Sequence, residues 1–86
     1  MNRVPRIWSF IRRRNGDYVY YNDETGEEVI IRKPYTHNNR MKGDWYVYYS
    51  DINGGWQEIG GPFEHRDEAI KYARNYILRW LMAFKK

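Results

Sequence analysis

The 86-residue chain contains no cysteine, which excludes a disulfide framework and thiolate metal ligands and leaves packing as the source of stability. Histidine occurs only at His37 and His65. A nucleophile triad would have to join one of them to Ser9, Ser50 or a threonine with a carboxylate behind it, and no local pattern supplies that. His65 with Asp67 and Glu68 reads as the start of a helix rather than as a metal site. Asp51-Ile52-Asn53-Gly54 lacks the downstream glutamate of a calcium loop, and Gly54-Gly55 and Gly60-Gly61 lack the lysine of a phosphate-cradling loop. These absences predict a protein that is not an enzyme and needs neither metal nor cofactor. Long apolar runs are also missing, and the apolar stretch inside MNRVPRIWSFIRRR is too short for a signal-peptide core. A cytoplasmic protein with no membrane partner is expected.

What the chain does have is aromatic surface. Nine tyrosines, four tryptophans and three phenylalanines exceed what the core of so small a domain hides with ease. Tyrosine suits half-buried strands, but exposed aromatic side chains are also the material of interface hot spots. Tyr20, Tyr35, Tyr46 and Tyr48 are the candidate partner-binding residues.

Charge is laid out in blocks. Met1 to Asn15 holds five arginines and no acid, Gly16 to Ile31 five acids and no base, and Arg32 to Lys42 four bases. Asp44 to Glu68 then carries six acids against Arg66, and Ala69 to Lys86 carries bases alone. Such alternation pairs opposite signs across a small surface, or leaves Arg12, Arg13, Arg14, Arg32 and Lys33 as a basic face for phosphates.

Period-two alternation places a first strand over residues 6–14, with Trp8 and Phe10 on one face and Ile7 and Ile11 on the other. Asn15-Gly16 predicts a two-residue type I′ turn, because both residues tolerate positive φ. A second strand over 17–22, a DETG turn and a third strand over 27–33 complete a β-meander spanning 6–33. Residues 34–43 read as a linker presenting Tyr35, His37, Arg40 and Lys42. A β-hairpin over 44–60 follows, with Trp45, Val47 and Tyr49 alternating against Tyr46, Tyr48 and Ser50. A helix is expected over 65–84, with Glu68 in the capping-box position, a buried stripe of Ala69, Ala73, Ile77, Trp80, Leu81 and Phe84, and Lys71, Arg74, Asn75 and Arg79 outward. Lys85 and Lys86 suit its carboxyl end.

A shift of 28 positions lays Tyr18, Val19, Tyr20 and Tyr21 on Tyr46, Val47, Tyr48 and Tyr49. Either a hairpin was duplicated or two hairpins met the same packing demand. The predicted fold class is α+β, an antiparallel meander of about five strands with one C-terminal helix packed on one face. The expected core is Trp8, Phe10, Val47, Ile59, Phe63, Ala69, Ala73, Ile77 and Leu81.

VPRIW, the NG turn, YVYYN, the TGE turn and Pro34 resemble the layout of a WW domain over residues 4–34. That likeness implies Trp8 as packing tryptophan and Tyr20 and Tyr21 near a groove for proline-rich ligands, with Ile30 or Ile31 standing where the second tryptophan belongs. Residues 43–73 resemble the arm-type DNA-binding module of phage tyrosine recombinases, and small phage or prophage proteins of unassigned role, through Gly43, Trp45, Asp51, Gly54, Phe63, Glu68 and Ala69. In that module the groove-entering strands carry several bases. The matching strand here, Trp56 to Ile59, carries Glu58 and no base, which moves any phosphate contact to Arg12, Arg13, Arg14, Arg32 and Lys33. The functional expectation is a non-catalytic binding protein of phage or mobile-element type, an inhibitor or adaptor acting stoichiometrically on a protein or protein/nucleic-acid machine. Direct nucleic-acid binding is the alternative, and the oligomeric state is left open.

Overall fold

In the computed structural model, which describes residues 4–34 and 43–81, each expected strand forms. They are β1 (Trp8–Arg12), β2 (Tyr18–Asn22), β3 (Glu28–Arg32), β4 (Trp45–Ser50) and β5 (Trp56–Phe63). They make one antiparallel sheet in the order β1-β2-β3-β4-β5, and the helix α1 (Arg66–Tyr76) continues into a π-helical segment, Ile77–Leu81. This is the α+β meander and C-terminal helix that the hydrophobic periodicity calls for. Tyr35, His37, Arg40 and Lys42 of the linker, and Phe84, Lys85 and Lys86, lie outside the described residues.

The hairpin turns are built by side-chain acceptors and left-handed glycines. Between β1 and β2, Arg13 N–H donates to the Asp17 carbonyl at 2.8 Å and Gly16 N–H to the Arg13 carbonyl at 3.0 Å, with Gly16 at φ 94°. Three residues therefore lie between the closing pair, not the two of a type I′ turn. The glycine follows a first turn instead of standing inside a mirror-image one, and Asn15 Oδ1 steadies the exit by accepting Asp17 N–H at 2.9 Å. The turn between β4 and β5 repeats this plan: Asp51 N–H donates to the Gly55 carbonyl at 3.0 Å, and Asp51 Oδ1 accepts Asn53 N–H and Gly55 N–H at 2.9 and 3.0 Å. Between β2 and β3, the buried Asn22 turns its Oδ1 to the N–H groups of Glu24 and Thr25 at 2.8 and 3.0 Å.

Register decides which face each residue takes. Tyr18 and Val47 both pair with Ile31, while Val19 and Tyr48 both pair with Ile30. The YVYY tetrapeptides thus stand one residue out of phase across β3, and in a sheet a one-residue offset sends every side chain to the opposite face. Tyr18 and Tyr20 face the helix from β2, whereas Val47 and Tyr49 do so from β4. The echo in sequence is therefore not an echo in packing.

The helix starts where the sequence places it. His65 is its N-cap, and Glu68 Oε1 accepts the His65 N–H at 3.2 Å. Ala69, Ala73 and Ile77 sit against Trp8, Tyr20, Val29, Ile31 and Val47 to form the core, with Ile59, Phe63 and Leu81 packed at its margin. Phe10 of the expected core and Trp80 of the expected helix stripe are outside it. Phe10 is 47% exposed, because β1 is an edge strand and the helix crosses β3, β4 and β5. Trp80 is exposed on the π-helical segment, whose wider turn breaks the spacing of three and four that would have kept it in the stripe. Conversely β3, buried on both faces, contributes Val29, Ile30 and Ile31, none of which was expected in the core.

The second hairpin strand also runs beyond the expected end at Gly60. It continues through Gly60-Gly61-Pro62 to pair Phe63 with Trp45, with register shifts that let it bend toward the helix. Tyr72 explains the glycine: a Cβ at Gly60 would lie 2.3 Å from Tyr72 Cε1, and the Tyr72 hydroxyl donates to the Ile59 carbonyl.

Gly60→Ala is therefore expected to lower stability by about 1–3 kcal/mol, with a fall in Tm of roughly 4 °C or more, measured by thermal unfolding followed by circular dichroism. A second expectation concerns alkaline pH. Burial, and then the hydrogen bond its hydroxyl donates to Glu27, push the Tyr49 phenol above its ordinary pKa. The neutral form is the folded one, so the stability it contributes is complete below a pH of about 10 and is lost as pH rises through the higher folded value. Urea unfolding across alkaline pH should show this decline, made shallower by Tyr49→Phe.

Candidate binding surface

Among the described residues, the helix covers one face of the sheet and no second element packs on the other. Val19 and Ile30 point to that open face and are nevertheless fully buried. Two polar diagonals run across this face. Arg13 Nη2 reaches from the end of β1 over β2 to Glu28 Oε2 on β3 at 2.6 Å, and the register places Val19 beneath the midpoint of this crossing. Arg32 on β3 runs parallel to it, its guanidinium 4.8 Å from the centre of the Trp56 ring on β5. The arginine stems thus supply the apolar cover that a second layer would otherwise provide.

Asp17 anchors the second diagonal. It is 2% exposed, at the end of the first turn, and its carboxylate accepts Arg32 Nε at 3.0 Å and Arg32 Nη2 at 2.7 Å, with Asn15 Nδ2 at 3.2 Å as a further donor. A forked pair of this kind fixes the plane of the guanidinium as well as its position. The Arg32 pKa is raised, chiefly by this hydrogen bonding. The oriented guanidinium then meets Trp56, whose ring lies 5.7 Å from that of Tyr48. Burial, followed by the neighbouring Glu58, raises the Tyr48 pKa, which keeps its hydroxyl a neutral hydrogen-bond donor. Beside this cluster lies a cleft of about 450 Å³ lined by Asn15, Asp17, Arg32, Lys33, Pro34 and Tyr48. Trp56, beside Arg32, remains 45% exposed, and Ile11 extends the apolar area on the β1 side.

Of the four candidate tyrosines, Tyr46 and Tyr48 lie on this open face. Tyr20 does not: at 8% exposure it packs in the core with Trp8 and Val29, because its register places it under the helix face, and it is withdrawn as a contact residue. Tyr35 lies outside the described residues. The five candidate bases are also divided. Arg13 and Arg32 are held in the ion pairs of the open face, and Arg14 is exposed in the first turn. Arg12 and Lys33 are on the helix side, over the rings of Tyr18 at 5.3 Å and Trp45 at 5.9 Å, where Arg66 joins them. Alternation along β1 and β3 is what separates neighbours in sequence onto opposite faces.

Asp17, Trp56, Tyr18, Trp45 and Arg66 are functional candidates that the sequence reading misses. Trp56 carries a signal in the alternation Trp56, Glu58 against Gln57, Ile59, but its meeting with Arg32 depends on strand order. Among the described residues, no group of three acidic, histidine or cysteine side chains is placed to hold a metal ion, and no helix is long and apolar enough to cross a membrane. Comparison with known protein families, with curated proteins and with solved structures finds no match to this chain.

Asp17→Ala is expected to destabilise the fold by about 2–4 kcal/mol, since it strands a partly buried guanidinium. Arg32→Leu in the same chain should return part of that loss. A double-mutant cycle in urea should then give a coupling energy of about 1 kcal/mol or more, and strict additivity would show that the pair does not act as a unit.

Proposed function

We propose that this chain is a non-catalytic binding protein, of the phage or mobile-element type its second half resembles, that acts stoichiometrically as an inhibitor or adaptor on a protein or protein/nucleic-acid machine. The contact surface in this reading is the open sheet face. The observation that supports it is the Arg32, Trp56 and Tyr48 cluster beside its cleft. Tryptophan, tyrosine and arginine are the residues that dominate binding energy at protein interfaces. Here the ion pair with Asp17 already orders the arginine, so little side-chain entropy remains to be lost on association. Tyr46 and Ile11 extend the patch, and the polar ends of Arg13 and Glu28 supply a rim.

Direct nucleic-acid binding is the second reading, and one observation favours it in altered form. Of the five candidate bases, Arg12, Arg14 and Lys33 carry no carboxylate partner among the described residues, and Arg12 and Lys33 are on the helix side rather than in a single Arg12 to Arg14 cluster.

Capture of the partner from host extract, followed by calorimetry with the purified pair, should give a fixed stoichiometry. Trp56→Ala should weaken that complex by about tenfold or more, and Tyr48→Phe should weaken it less. A complex whose affinity is indifferent to Trp56→Ala and Tyr46→Ala would place the contact elsewhere and end this reading.

A further inference from the structure

The helix side carries an arrangement that the protein-partner reading does not use. Three aromatic rings stand in a row at the end of the sheet nearest the start of α1: Phe10 on β1, Tyr18 on β2 and Trp45 on β4. Phe10 lies 5.9 Å from Tyr18 with the rings 17° from parallel, and Tyr18 lies 6.1 Å from Trp45. Cations are interleaved with them. The guanidinium groups of Arg12 and Arg66 are each 5.3 Å from the centre of the Tyr18 ring, Arg66 Nη1 donates to the Tyr18 hydroxyl at 2.9 Å, and Lys33 Nζ is 5.9 Å from the centre of the Trp45 ring. Arg66 meets Asp67 only at 3.7 Å, and that carboxylate is 88% exposed, so the pair holds little of the charge.

Tyr18 and Trp45 are half-buried against the core, and the strip is open at Phe10 and its arginines. Phe10 is nearly half exposed, and Arg12 and Arg66 are exposed. Aromatic rings tie down guanidinium groups without neutralising them, which leaves the charge and the outer planes of the guanidinium groups facing outward. Rings and guanidinium planes at successive steps along a positively charged strip are what a single strand of nucleic acid engages: its bases stack, and its phosphates pair with the cations between them. A duplex keeps its bases stacked on one another and would meet only the charges. An acidic protein would likewise use the cations and leave the exposed Phe10 face without a planar partner.

We propose that the strip of Phe10, Arg12, Tyr18, Lys33, Trp45 and Arg66 is a binding site for single-stranded nucleic acid. The proposal deepens the second of the two functional readings and rests on it. It lies across the sheet from the open face, and Lys33, which also lines the cleft there, is common to the two.

The test is a fluorescence-anisotropy titration of the full chain with labelled oligodeoxythymidylate, a duplex of equal length and inorganic polyphosphate, at low and moderate salt. The oligodeoxythymidylate should bind at least about tenfold tighter than either competitor, because stacking adds to charge only for it. Its affinity should fall with salt at a logarithmic slope of about −2, the value for three phosphate contacts on a single strand. The double variant Arg12→Ala/Arg66→Ala should weaken binding by about tenfold or more. Phe10→Leu keeps apolar bulk at an exposed edge but removes the ring, and should weaken it by about fivefold or more. Trp56→Ala should leave it within about twofold, and thermal unfolding checks that each variant folds. Polyphosphate or duplex binding as tight as the single strand, lost in the arginine double variant, would retain an anion-binding strip and overturn the single-strand assignment. Insensitivity to Phe10→Leu would overturn it in the same way. An acidic or phosphorylated peptide that binds more tightly than the oligonucleotide would assign the strip to a protein, and no binding to any of these at low salt would remove the nucleic-acid reading as a whole.

Discussion

Among the described residues one helix serves a sheet that has two faces, and the face it leaves uncovered is held together by a buried carboxylate. Asp17, at the exit of the first turn, grips Arg32 through both Nε and Nη2, and the guanidinium is thereby laid between the first hairpin and Trp56 on the far edge strand. Val19 and Ile30 are fully buried on this face, and the pair of Arg13 with Glu28 crosses over Val19. Pairing is required here because an unpaired carboxylate at this depth would be costly. Sealing with arginine rather than with a second layer leaves the surface rich in planar groups of fixed orientation. It can be buried again by a partner with little further ordering.

The same economy governs the helix side. α1 is short and rests on β3, β4 and β5, so the ends of β1 and β2 project beyond its cover. Phe10 and Tyr18 remain at the rim for that reason, and the cations that gather over them come from β1, from the chain just after β3 and from the start of α1. Both aromatic surfaces of the molecule thus have one origin: a sheet wider than the element packed on it. The close approach of Tyr72 to the backbone at Gly60 holds the helix in this offset place. It also requires a strand that bends through Gly60-Gly61-Pro62 before the helix begins.

Much of the architecture was legible in the alternation of Trp45 to Ser50, the spacing of Ala69, Ala73 and Ile77, and the turn residues near Asn15-Gly16 and Asn53-Gly54. The misreadings have specific causes. Phe10 alternates as a core residue should, but alternation reports a face and not how far the helix extends over it. Trp80 falls on the helical stripe until the π-helical segment shifts the phase. Asn15-Gly16 is compatible with loops of two or three residues, and only the closing bonds of Arg13 with Asp17 distinguish them. Tyr20 shares its tetrapeptide with Tyr48, yet the two occupy opposite faces.

The class of fold, the order of its elements and the chemistry on offer are written in the linear chain: aromatic and basic side chains, no thiol, and two histidines in unsupported settings. These follow from local period, turn chemistry and composition, which act over a few neighbouring residues. Which of those side chains meet depends on strand register and on where the helix rests. Arg12 and Arg13 are adjacent in the chain and end on opposite faces, whereas Asp17 and Arg32, or Tyr18 and Arg66, are distant and end in contact. A pairing register is set by cooperative packing across the whole sheet, and a shift of one residue would exchange the two faces.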